Sequence, residues 1–238
     1  MASTLLPARP SGIEFDTAHT AVIVVDMQHD FGSRGGMFDR AGIDITPIQA
    51  IVPALAAVLA AGREAGLPVV YLKQQHAADL SDAGSARAPH FIKHQRMQLG
   101  REFPAPDGSV GRVLVADTWN TAILPELAPH PGDAIVPKSR YSGFFHTDLH
   151  DRLQAMGVDT LIVTGTTTSI CVESTVRDAM FRDYRCIVLE DCTAEPIAWD
   201  QPRTNHEASL LTIELLFGWI SDSAALIEAL QPRRAAAE

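Results

Sequence analysis

The stretch Val163-Thr164-Gly165-Thr166-Thr167-Thr168-Ser169-Ile170-Cys171-Val172-Glu173-Ser174-Thr175 decides the fold. The run at 160–163 lacks polar alternation and reads as a strand buried on both faces. A glycine and small residues break it, and from Cys171 to residue 182 the pattern takes helical spacing. A strand that turns directly into a helix is the repeating unit of an α/β sheet. The Cys171 thiol stands at that turn. Free N–H groups and the positive end of a helix dipole favour a thiolate there. The same N–H groups can receive the oxyanion of an attacked carbonyl. A nucleophile and a buried core cysteine both suit the position.

Two further segments have the same build. Ala21-Val22-Ile23-Val24-Val25-Asp26-Met27-Gln28-His29-Asp30-Phe31 is a second doubly buried strand with Asp26 at its carboxyl end. Ligands of open parallel sheets sit outside the carboxyl ends of the strands. Asp26 is therefore either a general base or the cap of the following turn. Asp133-Ala134-Ile135-Val136-Pro137-Lys138-Ser139-Arg140-Tyr141-Ser142-Gly143-Phe144-Phe145 is a short strand ending in Pro-Lys before a glycine- and aromatic-rich loop. Lys138 either pairs with Asp26 or is a surface lysine.

The spacing predicts strands at 21–25, 69–72, 134–136, 160–163, 186–189 and near Trp219-Ile220. It predicts helices at 48–65, 121–127, 147–156, 171–182 and 205–215, with Gly66-Leu67-Pro68 ending the first. This alternation specifies an α/β fold, a three-layer α/β/α sandwich around a mainly parallel sheet. The length of 238 residues suits one domain over 1–238, with its core at about 16–230. The polar loop at 73–111 is long enough to be functional.

In this order and over about 16–230, the three motifs resemble the isochorismatase-like family of cysteine hydrolases. The strings Lys138 to Phe145, Cys171-Val172-Glu173-Ser174-Thr175, Ile213-Glu214 and Phe217-Gly218-Trp219 are similar to its ureidoacrylate amidohydrolases. DMQHDF and His76-Ala77-Ala78-Asp79-Leu80 are similar to biuret and triuret hydrolases. The resemblance implies a Rossmann-like sandwich and a triad of Asp26, Lys138 and Cys171. It implies an oxyanion hole from the N–H groups of Thr167 and Cys171, a cis peptide at Thr166-Thr167, and a homodimer or homotetramer. The implied activity is that of a metal-independent cysteine amidohydrolase. It would cleave a C–N bond of a small ureido or carbamoyl compound through a covalent Cys171 intermediate and release ammonia.

Other readings are an N-carbamoyl amino acid amidohydrolase, a nicotinamidase-like amidase, and a catalytically silent small-molecule-binding relative. Vinyl-ether hydrolysis on isochorismate is disfavoured, because the true isochorismatases lack the nucleophilic cysteine. Nicotinamidases hold zinc or iron with an Asp-x-His motif after the second strand. Here that place reads Lys73-Gln74-Gln75-His76, and His90 and His94 lack ligand spacing. No metal and no cofactor are expected. The expected substrate contacts are Phe31, Phe38, Gln74, Tyr141, Phe144 and Ile170, with the Gln74 carboxamide bonding both N–H and C=O of a urea group. The ureidoacrylate enzymes tend to carry Asn at the matching place and Asn before the Val-Cys pair, where this chain has Gln74 and Ser169-Ile170. Arg34, Lys93 and Arg96 suit either a substrate carboxylate or ordinary surface charge.

A net charge of −10 argues against nucleic-acid or anionic-membrane partners. The apolar stretch around 51–61 contains Pro53 and reads as too short to span a bilayer. The first ten residues lack a signal-peptide core. Three cysteines, Cys171, Cys186 and Cys192, have no framework spacing, which suits a reducing compartment. A cytoplasmic location is expected. Cys186 reads as core, Cys192 as packing rather than site wall, and the tail from Arg233 as frayed.

Overall fold

The structure is a computed structural model that describes residues 4–197, 204–214 and 218–231. Six parallel strands form the central sheet: β1 (Thr20–Val25), β2 (Val69–Gln74), β3 (Ala134–Lys138), β4 (Thr160–Thr166), β5 (Arg185–Ala194) and β6 (Gly218–Ser221). Their spatial order is β3-β2-β1-β4-β5-β6. The chain winds outward from β1 through β2 to β3, then returns to the other side of β1. The direction therefore reverses between β1 and β4, and such switch points open a crevice at the carboxyl ends.

Among the described residues the main helices are α1 (Thr46–Glu64), α2 (Pro89–Arg96), α3 (Leu149–Ala155), α4 (Glu173–Met180), α5 (Asn205–Thr212) and α6 (Ser223–Leu230), and all but α2 contribute buried apolar residues to the cores on the two faces of the sheet. Alternate residues of β1 separate into two cores, because successive strand side chains point to opposite faces. Val22 and Val24 pack with Ile48, Leu55 and Leu59 of α1 and Leu226 of α6. Ala21, Ile23 and Val25 pack with Leu149 of α3, Val176 of α4 and Leu210 of α5. All six residues of β1 are buried, as its unbroken apolar run requires. The three-layer α/β/α expectation agrees with this architecture.

Several elements differ from the sequence reading. The helix expected at 121–127 is two 3₁₀ turns, Trp119–Thr121 and Pro125–Leu127. Pro125 has no N–H to continue a helix and holds Leu124 extended, with ψ 134°. The loop after β2 holds α2 and a hairpin of Glu102–Pro104 with Val110–Arg112. A short antiparallel pair, Thr4–Leu6 with Ile13–Phe15, precedes the sheet, and α6 follows it. Leu215, Leu216 and Phe217 and the tail from Arg233 lie outside the described residues.

Helix α1 also corrects an expectation. At 19 residues it is long and apolar enough, by length and composition, to cross a membrane. Its stripe of Ile48, Ile51, Leu55, Val58, Leu59 and Gly62 is buried against the sheet instead. Each such large side chain contributes roughly 1.5–3 kcal/mol when buried. Cys186 and Cys192 are both buried, and all three cysteines are free.

Asp30 organises the loops above the sheet. Its carboxylate accepts hydrogen bonds from Met37 N (3.0 Å), from Leu114 N (2.7 Å) and from the Asn120 side-chain amide. Burial, opposed by those hydrogen bonds, pushes its pKa up to about 6. The fold thus favours the protonated form, and this contribution to stability is complete below the ordinary carboxyl value and is lost as pH rises through about 6. Asp30→Ala leaves three buried donors without an acceptor and is expected to destabilise by about 2–4 kcal/mol. The deficit should be largest near pH 4, shrink as pH rises to about 6, and level off above it. Denaturant titrations across that range check both points, and a loss below about 1 kcal/mol would show that the loops do not depend on Asp30.

Candidate active site

The expected catalytic residues stand at the ends of three strands. Asp26 follows β1, with φ at +50°, in a left-handed region that non-glycine residues rarely occupy. Lys138 ends β3, and Gln74 of β2 is its register partner. Cys171 follows β4. Gly165 lets β4 pass this close, since a Cβ there would lie 2.1 Å from the Val25 carbonyl oxygen. The Lys138 and Asp26 side chains are 0% and 1% exposed, and Lys138 Nζ donates to Asp26 Oδ2 at 2.8 Å. The ammonium's other donors go to Gln74 Oε1 (2.9 Å) and the Arg140 carbonyl (3.2 Å). Asp26 Oδ1 accepts from Gln74 N at 2.9 Å. The charges of both Asp26 and Lys138 act on the Cys171 thiol.

Burial sets the electrostatics of this cluster. It raises the pKa of Asp26, and the charge and hydrogen bond of Lys138 pull it partly back. Burial also works against the Lys138 ammonium, but the charge and hydrogen bond of Asp26 oppose it, and the lysine is held above its ordinary value. The Cys171 thiol is pushed far up by burial, with the Lys138 charge opposing and the Asp26 charge adding to the rise. The resting sulfur is therefore a protonated thiol. The thiolate expected at a helix N-terminus is overridden by desolvation. A raised carboxylate within hydrogen-bonding reach is in turn a stronger base for removing that proton.

The nucleophile turn has its own support. Cys171 lies in a π-helical turn, Thr168–Val172, that precedes α4. Such turns recur at functional sites. The helix expected from Cys171 thus begins at Glu173, and the Thr166-Thr167 peptide before the turn is cis. Glu195, six per cent exposed, accepts from Ser169 N (3.0 Å), Ser169 Oγ (2.5 Å) and Ile197 N (2.9 Å). Thr175 Oγ1 donates to the Cys171 carbonyl at 2.7 Å and accepts from Gly143 N at 2.9 Å. The loop after Lys138 and the cysteine turn are thereby fixed to each other.

A cavity of about 840 Å³ opens beside the sulfur. Phe31, Phe38, Gln74, Tyr141, Thr167, Ile170 and Cys171 all line it, as the sequence reading expected. Phe144 does not. It packs in the core beneath Arg182, with its ring 5.7 Å from that of Tyr184. Gln74 lines the cavity with only half of its carboxamide free. Its Oε1 is held by Lys138, so Nε2 remains as a donor without a partner, and the paired contact to a urea group is reduced to one hydrogen bond. Lys93 and Arg96 reach the cavity from α2, whereas Arg34 is not among its lining residues.

The sequence reading missed Met37, Ile43, His94, Met97 and Ile197 in this wall. Apolar residues in the loop, at Ile43 and Met97, were the available signal. It also missed that His76, His90 and His94 cluster, with ring centroids 4.0–6.0 Å apart, and that His90 and His94 face Tyr141. Burial lowers His90 to about 3 and His94 to about 4, so both are neutral near pH 7. His94 Nδ1 donates to the His90 carbonyl, which leaves its Nε2 as an acceptor. Among the described residues no three His, Cys, Asp or Glu side chains form a metal-binding group.

Comparison with known proteins identifies the family. Residues 20–225 match the isochorismatase domain family. The ureidoacrylate amidohydrolase RutB of Enterobacter sp. (strain 638) is 38% identical over 229 residues, covering 96% of each chain. The crystal structure of a cysteine hydrolase from Pseudomonas syringae pv. phaseolicola 1448A superposes with a TM-score of 0.76 at 31% identity, covering 97% of this chain and 98% of that one. That of N-carbamoylsarcosine amidase from Thermoplasma acidophilum gives 0.62 at 26% identity, covering 86% and 96%. The protein whose buried Asp26, Lys138 and Cys171 meet at the sheet's switch point belongs to the isochorismatase domain family.

Proposed function

We propose that this chain, acting as one domain, is a cysteine amidohydrolase that cleaves a terminal ureido group of the ureidoacrylate type. The observation that carries the reading is the buried Lys138–Asp26 pair, whose charges act on the Cys171 thiol beside an open cavity. The relatives named as ureidoacrylate amidohydrolase and N-carbamoylsarcosine amidase support the amide substrate. The enzyme is a hydrolase of non-peptide C–N bonds.

In this reading Asp26 takes the thiol proton as sulfur attacks the ureido carbon. The oxyanion is received by the N–H groups of Thr167 and Cys171. Asp26 then returns the proton to the departing nitrogen, ammonia leaves, and a carbamoyl thioester remains on Cys171. Asp26 next deprotonates a water that attacks the thioester. Sulfur leaves and recovers its proton, and the carbamate product breaks down to an amine and carbon dioxide. Lys138 steadies the negative charge shared by Asp26 and sulfur throughout. Gln74 Nε2 is placed to donate to a substrate carbonyl.

Metal independence belongs to the proposal. Gln74 stands at the first position of the absent Asp-x-His motif and is engaged by Lys138. The dimer or tetramer implied by the resemblance belongs to it as well, with mass by light scattering as its test. So does a cytoplasmic setting, which three free cysteines suit.

Ammonia release should give a higher kcat/KM on ureidoacrylate, biuret or triuret than on nicotinamide or pyrazinamide, before and after exhaustive chelation. An aromatic amide ahead of every ureido compound would defeat the ureido assignment, and loss on chelation with recovery on metal addition would defeat metal independence. Cys171→Ser should lower kcat by several orders of magnitude, because an alkoxide is much harder to form than a thiolate. Retention of a tenth of the activity would contradict covalent catalysis there. Lys138→Met removes the charge that lowers Asp26, so the acid limb of kcat/KM should move up by roughly one to three pH units. An unmoved limb would show that Asp26 is not the titrating base.

A further inference from the structure

The cavity is larger and more apolar than a ureido group requires. A ureido group has few heavy atoms, and at the roughly 30 Å³ that one water occupies it would fill on the order of 100 Å³. The cavity holds about 840 Å³, within the range of roughly 300–1,000 Å³ that receives much larger ligands. Its lining includes the uncharged polar side chains of Gln74, Tyr141, His94, Thr167, Ser169 and Ser174. The apolar part of the wall includes Phe31, Met37, Phe38, Ile43, Met97 and Ile197. Phe31 and Phe38 meet edge to face, 5.1 Å between centroids, and both are buried. Asp44 also lines the cavity, but its carboxylate is held by Thr46 N at 3.0 Å and Thr46 Oγ1 at 2.7 Å. The open side carries Lys93 and Arg96, both exposed and, among the described residues, without an ion-pair partner.

A small polar substrate would leave this wall wet and uncovered. An apolar substituent would remove both its own surface and the wall's from water. We propose that the substrate is an N-carbamoyl compound whose amine carries an apolar substituent of several carbons, seated against Phe31, Phe38 and Met97, with an acidic group that suits the cationic mouth. This deepens the ureido reading and rests on it.

The test is kcat/KM for the N-carbamoyl derivatives of glycine, alanine, leucine and phenylalanine, with ureidoacrylate alongside. Each amino acid derivative carries one carboxylate, so the series varies the apolar area at constant charge. Burying a methylene is worth close to fourfold. The leucine derivative is therefore expected to exceed the alanine derivative by roughly 30-fold or more, with phenylalanine also above alanine. Met97→Gln, a half-buried position, should lower kcat/KM for the leucine and phenylalanine derivatives at least about threefold more than for the glycine derivative, as loss of apolar burial predicts. A flat, falling or absent response along the series while ureidoacrylate is hydrolysed would overturn the apolar substituent and leave the ureido reading standing. An equal loss on every derivative in Met97→Gln would likewise count against the seat at Met97. Failure to hydrolyse any ureido compound would overturn the underlying reading and this inference with it.

Discussion

The contact between Lys138 Nζ and Asp26 Oδ2, made with both side chains out of water, is the constraint around which the site is arranged. Removing two charges from solvent is expensive, and the attraction between them compensates only where the remaining hydrogen-bonding capacity is met. Here it is met from β2, which lies between the two strands in the sheet. Gln74 N serves Asp26, Gln74 Oε1 serves Lys138, and the Arg140 carbonyl takes a further donor. Gln28 locks Gln74 in turn, accepting from its N–H at 2.8 Å and donating to its carbonyl at 3.0 Å. The pair therefore demands correct register across β1, β2 and β3. A slip of one residue would reverse the side chains and leave two charges buried without partners.

The strands and the three reactive side chains were legible because they share one local signature. Each reactive residue ends or follows a run that is apolar without alternation, and such runs become central strands of a parallel sheet. Asp26, Lys138 and Cys171 each stood out at a strand end as one of two readings, and the family resemblance joined them into a triad. What stayed hidden depends on contacts between distant segments. Phe144 sits in the same aromatic loop as Tyr141, and the string does not say which ring faces the cavity and which faces Tyr184. Gln74 reads as a free carboxamide until Lys138, 64 residues later, takes one end. Glu195 clamps Ser169 from 26 residues away with no motif to mark it. The upward push on the thiol was hidden for a related reason. The helix-terminus argument is local, whereas the opposing desolvation comes from the whole surrounding fold.

The two halves of the cavity wall have different origins. The reactive half is built on strand ends and on a turn held by Glu195 and Thr175. The apolar half comes from Met37, Ile43, Met97 and Ile197, in the loops and short helices between strands. Rigid strand ends fix where bonds form and break, while the loop-borne wall can vary among relatives without disturbing the triad. This division lets one catalytic scaffold serve amides of different shape.

The buried, proton-bearing sulfur has a consequence for survival of the enzyme between turnovers. Oxidation to sulfenic acid and reaction with electrophiles both proceed through thiolate, and susceptibility follows thiolate character and exposure. Cys171 has little of either at rest, being six per cent exposed and held protonated by its surroundings. In the proposed mechanism its reactivity is conditional on a carbonyl carbon seated in line with it while Asp26 withdraws the proton. Peroxide and general alkylating agents offer no such pose, so the resting protein should resist both more than a free cysteine does. Alkylation of Cys171 by iodoacetamide at neutral pH, at the rate of a free thiol, would show that the shelter is absent.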